Sequence, residues 1–165
     1  MKYLRNIILC LILSGCAGLQ PVNNADLTFN RVVDAPGFTK DQIYDFTKMW
    51  VAENFKSAKA VIEYEDKATG AIIGNGSISY PCQGVNCIAK ESWKVHFTMR
   101  VDIKDDKFRL SFSNLGLWSP GTYGRVGQET PIYMQSDLDA VKPKLLSFGD
   151  QILASFNKNK STTQW

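Results

Sequence analysis

The sequence is short of the residues from which most sites are built. It holds a single histidine, His96, in 165 residues. Imidazole is the side chain that changes charge near neutral pH, and it is the commonest general base and metal ligand. Any hydrolytic relay or nitrogen-rich metal centre would therefore have to use that one residue. No nucleophile-elbow sequence and no glycine-rich phosphate loop occurs. Charge of one sign is also lacking in excess, with 19 basic residues against 16 acidic ones. Nucleic-acid binders show a clear basic patch or stripe, so no nucleic-acid partner is expected. Long apolar runs are missing too: the best, Ile7 to Leu13, falls well short of the roughly 20 residues that span a bilayer as a helix. These absences leave no catalytic constellation, and no cofactor or metal is expected.

What the short apolar run does suit is export. Lys2 and Arg5 precede it, as in the positive start of a signal peptide, and its length fits the apolar region of such a leader. It closes on Leu13-Ser14-Gly15-Cys16, which resembles the bacterial lipobox: a branched apolar residue, two small residues, then the cysteine. The resemblance implies that residues 1–15 are removed and that Cys16 becomes the acylated first residue. Two or three acyl chains anchor a protein stably where one does so marginally. Ala17 and Gly18 follow Cys16 in place of the Asp that resembles an inner-membrane retention signal. The expected address is therefore the outer membrane, facing the periplasm. Cleavage leaves 17 basic residues against 16 acidic ones, a net charge near +1.

The mature chain is long enough for one domain with a real core. Residues 16–26 read as a lipidated tether and 27–157 as a single domain, with 158–165 a polar tail. Leu27 to Val33 alternates weakly and predicts a strand, followed by a turn at Asp34-Ala35-Pro36-Gly37. Thr39 and Gln42 stand at capping-box spacing, with Phe38 and Ile43 placed as a hydrophobic staple, so a helix to about Phe55 is expected. Val61 to Glu65 and Ala71 to Tyr80 read as strands; Gly74 and Gly76 share a face of the second and mark a bulge or a close approach by the helix. From Trp93 to Lys104 apolar and polar residues alternate six times, the pattern of a strand with one buried face. A two-residue turn at Asp105-Asp106 then pairs Ile103 with Phe108, Val101 with Leu110 and Met99 with Phe112, and sets Asp102 opposite Arg109. Leu117 to Gln135 reads as a long loop. Ser136 is placed to cap a second helix, which Pro143 must kink or restart and Gly149 weakens.

The pattern predicts an α+β domain of order β-α-β-β-β-β-α, with about five antiparallel strands and two helices on one face. Three stretches carry a further likeness: Val33-Asp34-Ala35-Pro36-Gly37, the Tyr44-bearing helix to Trp50, and Gly70 to Gly76. Over roughly residues 29–115 they resemble a family of small bacterial lipoprotein domains of unknown function with a TATA-binding-protein-like fold. The likeness implies the fold and supplies no activity, and DNA binding is not implied for an exported chain.

Few residues stand out as site candidates. Cys82 and Cys87, with four residues between them near a hairpin tip, read as a structural disulfide in an oxidising compartment. A redox pair uses a two-residue spacer, and a metal site needs more ligands. His96 falls among the outward residues of its strand and reads as a solvated side chain. Asp105-Asp106 and Glu63 with Glu65 read as solvated charges as well. Besides Tyr133, the long loop carries Trp118, Tyr123 and Arg125, residue types enriched in interface hot spots. They are the candidate contact for an envelope protein partner; the competing reading has these aromatics covering the end of their own core. The preferred function is a non-enzymatic binding or envelope-assembly module. The alternative is a carrier holding a small apolar ligand between sheet and helices, and a hydrolase ranks last.

Overall fold

The computed structural model describes residues 20–55, 61–84, 86–121 and 126–162. Its elements run β1 (Phe29–Asp34), α1 (Lys40–Asn54), β2 (Val61–Asp66), β3 (Ala71–Ser79), a short α2 (Asn86–Lys90), β4 (Lys94–Lys104), β5 (Lys107–Ser119), β6 (Gln128–Pro131), α3 (Gln135–Leu146) and α4 (Phe148–Thr162). The strands form one antiparallel sheet in the order β2-β3-β4-β5-β1, with β6 lying beside the far half of β5.

The β4–β5 hairpin has the register that the alternation predicts, with Ile103 opposite Phe108, Val101 opposite Leu110, Met99 opposite Phe112 and Asp102 opposite Arg109. Its apolar residues are buried, and the helices lie over that face: Phe97 and Phe112 meet Phe148, and Phe108 meets Phe156. The other face of the sheet carries no helix among the described residues. Gly76 is explained by the packing: a Cβ there would come within 2.5 Å of the Phe97 ring. The close approach comes from a neighbouring strand's side chain. Helix α1 starts as expected, with Thr39 and Gln42 making both bonds of the capping box. Asp105 and Asp106 do more than face water, since their carboxylates accept from the Lys40 and Gly37 amides, each at 2.7 Å, and so tie the hairpin turn to the start of α1.

Several expectations need correction. The sheet has six strands, because β6 forms inside the segment read as a loop. Ser136 caps nothing: Met134 is the N-cap of α3, without a side-chain cap bond. The second helix is two helices, α3 with Pro143 inside it and α4 beginning at Phe148. Helix α4 continues to Thr162, into the stretch read as a polar tail. Residues 20–26 are not a free tether. Val22 and Leu27 pack against the core, and the backbone bonds to residues 133–135. Residues 16–19 of that expected tether lie outside the described residues.

Candidate functional site

The open face of the sheet is polar where β3, β4 and the end of β5 run together. Asn75 and Ser77 of β3, His96 and Thr98 of β4, Asn114 of β5 and Glu129 of β6 line a shallow recess of ≈ 520 Å³. Two backbone features make it. Between the pairs His96–Gly116 and Thr98–Ser113 the register shifts, so β5 holds one residue more than β4. Asn114 lies in this bulge with φ 51°, a left-handed conformation that Asn tolerates better than most residues. The bulge keeps Leu115 and Leu117 in the core while Asn114 stays exposed. The second feature is Gly116. A Cβ at this position would stand 2.8 Å from Glu129 Oε1, so a bare glycine is what lets the carboxylate reach across β5.

Glu129 there meets His96, with Oε1 2.8 Å from Nδ1. The other ring nitrogen, Nε2, is enclosed and has no hydrogen-bond partner among the described residues. Next to it runs a directed chain of hydrogen bonds. The Asn114 amide donates to Thr98 Oγ1 at 3.2 Å, the Thr98 hydroxyl to Asn75 Oδ1 at 2.7 Å, and the Asn75 amide to Glu63 Oε1 at 2.5 Å. Donors aligned in one direction polarise one another, and the chain ends on a carboxylate. Sequence reading missed this group. His96 was legible as outward-facing, but its partner arrives on β6, whose four residues are all exposed and carry no alternation.

Trp118 is placed differently from the expectation. It is a strand residue, the penultimate one of β5, and it stands on the open face, outside the apolar core. The Lys94 ammonium lies 5.6 Å above its ring, and a Cβ on Gly127 would come within 2.7 Å of it. It is half-buried, neither a free loop aromatic nor a core lid. Tyr123, Arg125 and Cys16 lie outside the described residues.

Cys82 and Cys87 are joined as a disulfide. Just beyond it Lys90 and Tyr80 converge on one buried carboxylate, Asp137 in the first turn of α3. The Tyr80 hydroxyl donates at 2.6 Å, and the Lys90 ammonium bonds the same oxygen. That ammonium also lies 4.9 Å over the Tyr80 ring and 5.1 Å over the Trp93 ring. Burial, reinforced by Asp137, holds the Tyr80 phenol well above its usual range. The cluster fastens the disulfide segment to α3. Further along the open face, Arg100 first and Arg109 second hold the Asp102 carboxyl below the usual range. Among the described residues no group of three or more His, Cys, Asp or Glu is arranged to hold a metal, and no helix is long and apolar enough to cross a membrane.

Residues 29–118 match the model of the family described as a domain of unknown function (DUF4468) with TBP-like fold. The chain belongs to this family. Two solved structures bear out the fold. A DUF4468 family protein from Bacteroides ovatus is 19% identical with a TM-score of 0.54, over 82% of this chain and 89% of that one. A TBP-like protein from Parabacteroides distasonis is 12% identical with a TM-score of 0.54, over 86% and 92%. At such identities the likeness speaks for fold alone. No curated protein matches the chain. The DUF4468 match ends at Trp118, so β6 and Glu129 lie beyond it.

Proposed function

We propose that this DUF4468 chain is a bacterial lipoprotein, acylated on Cys16 and held on the periplasmic face of the outer membrane. Its domain is a binding or assembly module for an envelope protein, and it catalyses no reaction. The observation that carries the binding reading is the unpartnered Nε2 of His96 at the recess on the open sheet face. An enclosed polar atom without a hydrogen bond is costly, and a partner that draws the His96 ring out into the recess and supplies the missing bond recovers that free energy. Trp118 stands on the same face as a large amphipathic contact, and Tyr123 and Arg125 follow it closely in sequence.

Two other readings fit less well. A carrier needs space between sheet and helices, but that layer is filled by aromatic rings, and the gap at its edge beside Phe55 and Phe97 is only ≈ 20 Å³. That is about the room one water needs. For a hydrolase, the residue that faces His96 in register is Ser77, and the sequence around it does not resemble a nucleophile elbow.

The binding half is tested by crosslinking in intact envelopes, followed by pull-down with wild type and His96→Ala. Wild type should recover a discrete envelope protein that His96→Ala loses while its melting temperature stays close to wild type. Equal recovery by both would overturn the assignment of the site. The address is tested by Cys16→Ser, which should abolish fatty-acid labelling and membrane partitioning; retained labelling would remove Cys16 as the anchor.

A further inference from the structure

An anchor on Cys16 leaves the domain almost no slack. Backbone bonds tie the described N-terminus down: the Gln135 N–H donates to the Gln20 carbonyl and the Val22 N–H to the Tyr133 carbonyl, both at 2.9 Å. Pro21 and Met134 form an antiparallel bridge between them. After this strand-like contact, the Asn23 side chain caps a 3-10 helix at Asn24–Leu27, and Val22 and Leu27 reach the core. Only Ala17, Gly18 and Leu19 separate Cys16 from Gln20. An extended chain advances at most about 3.5 Å per residue, so the Cys16 and Gln20 Cα atoms can stand no more than roughly 14 Å apart.

The residues against which the chain is fastened are themselves apolar and uncovered. Tyr133 is 63% exposed and Met134 40% exposed. They flank the point where the chain leaves the domain, in the connection between β6 and α3. Tyrosine, with an apolar ring and a wet hydroxyl, suits the boundary between headgroups and hydrocarbon. A contact made next to an anchor is intramolecular in effect, so even a small apolar patch is engaged for much of the time.

We propose that Tyr133 and Met134 form a membrane-seating patch: the domain rests on the phospholipid surface by this edge and is not suspended from it. The proposal rests on the Cys16 anchor of the preceding section. It also fixes an orientation, because β2 is at the opposite edge of the sheet from β1 and β6. Adjacent strands are about 4.8 Å apart, so β2 and its exposed Tyr64 stand on the order of 20 Å further from the bilayer.

The test uses the acylated mature chain, reconstituted in vesicles of phosphatidylethanolamine and phosphatidylglycerol. One variant, Met134→Cys, carries an environment-sensitive fluorophore at the patch; Tyr64→Cys carries it at the far edge. The label at position 134 should shift to the blue and be quenched several-fold more by brominated lipid than the label at 64. Equal, water-like emission from both positions on vesicle-bound, acylated protein would overturn the seating and leave the anchor standing. Protein that carries no acyl group on Cys16 by mass spectrometry and stays off the vesicles would overturn both.

Discussion

Asp137 is the side chain whose removal should do most damage for its size. Its carboxylate is nearly buried, with a side-chain exposure of 9%, and it accepts from both Tyr80 and Lys90. In Asp137→Ala the Tyr80 hydroxyl stays buried beneath the disulfide segment with nothing to donate to. An orphaned buried donor costs about 1–3 kcal/mol. Lys90 is a quarter exposed, so its ammonium can turn to water, and its loss of a partner adds at most about 1 kcal/mol. Losing an acid from the first turn of α3 adds roughly 0.3–1 kcal/mol through the helix dipole. The sum is about 1–5 kcal/mol, or on the order of 10 °C in melting temperature near the middle of that range for a domain of this size. A double-mutant cycle sharpens the expectation. Tyr80→Phe should cost about 1 kcal/mol in the wild-type background, where it breaks a hydrogen bond. In the Asp137→Ala background it should stabilise, because it removes the orphaned hydroxyl. Thermal and urea melts of the four proteins read this directly. If Asp137→Ala melts within 1 °C of wild type, or Tyr80→Phe costs the same in both backgrounds, the cluster does not hold the fold together as described.

Three further expectations can be checked with the same melts. Gly76→Ala pushes a methyl into the Phe97 ring and should cost about 1–3 kcal/mol, as overpacking does; an unchanged melt would show that the ring moves freely aside. Reducing Cys82–Cys87 opens a loop of five-residue separation, and by loop entropy this should cost about 2 kcal/mol, with partner capture by the open sheet face unaffected. Asp102 has its carboxyl held below the usual range by Arg100 and Arg109, so its stabilisation is present above the unfolded value of 3.8 and is lost as pH falls through the lower folded value. Asp102→Asn should therefore cost about 0.5–1 kcal/mol at neutral pH, a gap that closes in acid; a difference independent of pH would contradict the cause given.

The parts of the fold that the sequence foretold are those where one local rule acts alone. Six alternations and a two-residue turn leave the β4–β5 hairpin a single register that buries every apolar residue from Val95 to Phe112. Thr39 and Gln42 suffice to start α1. What escaped depends on partners distant in the chain. β6 is Gln-Glu-Thr-Pro, exposed throughout, and it is a strand only because β5 outruns β1 and offers an unpaired edge. Trp118 was read as a loop residue for the same reason, since Pro120 and Gly121 follow it at once. The bulge at Asn114 has no composition signal, yet it sets the His96–Glu129 meeting. The docked N-terminus was hidden as well: polar Asn23 and Asn24 look like linker, while the contact is made by backbone and by Val22 and Leu27.

If the domain is a binding module, its partner sits on the open face of the sheet. A photoreactive amino acid placed at Ser113, on that face and paired with Thr98, tests this in intact envelopes, with Glu53 on the exposed side of α1 as the matched control. Illumination should produce a discrete crosslinked species from position 113 and none from 53, and the 113 adduct should vanish when Trp118, Tyr123 and Arg125 are replaced together by Ala. An adduct from position 53 alone, or the same adduct from both, would place the partner on the helices and contradict the binding face described above.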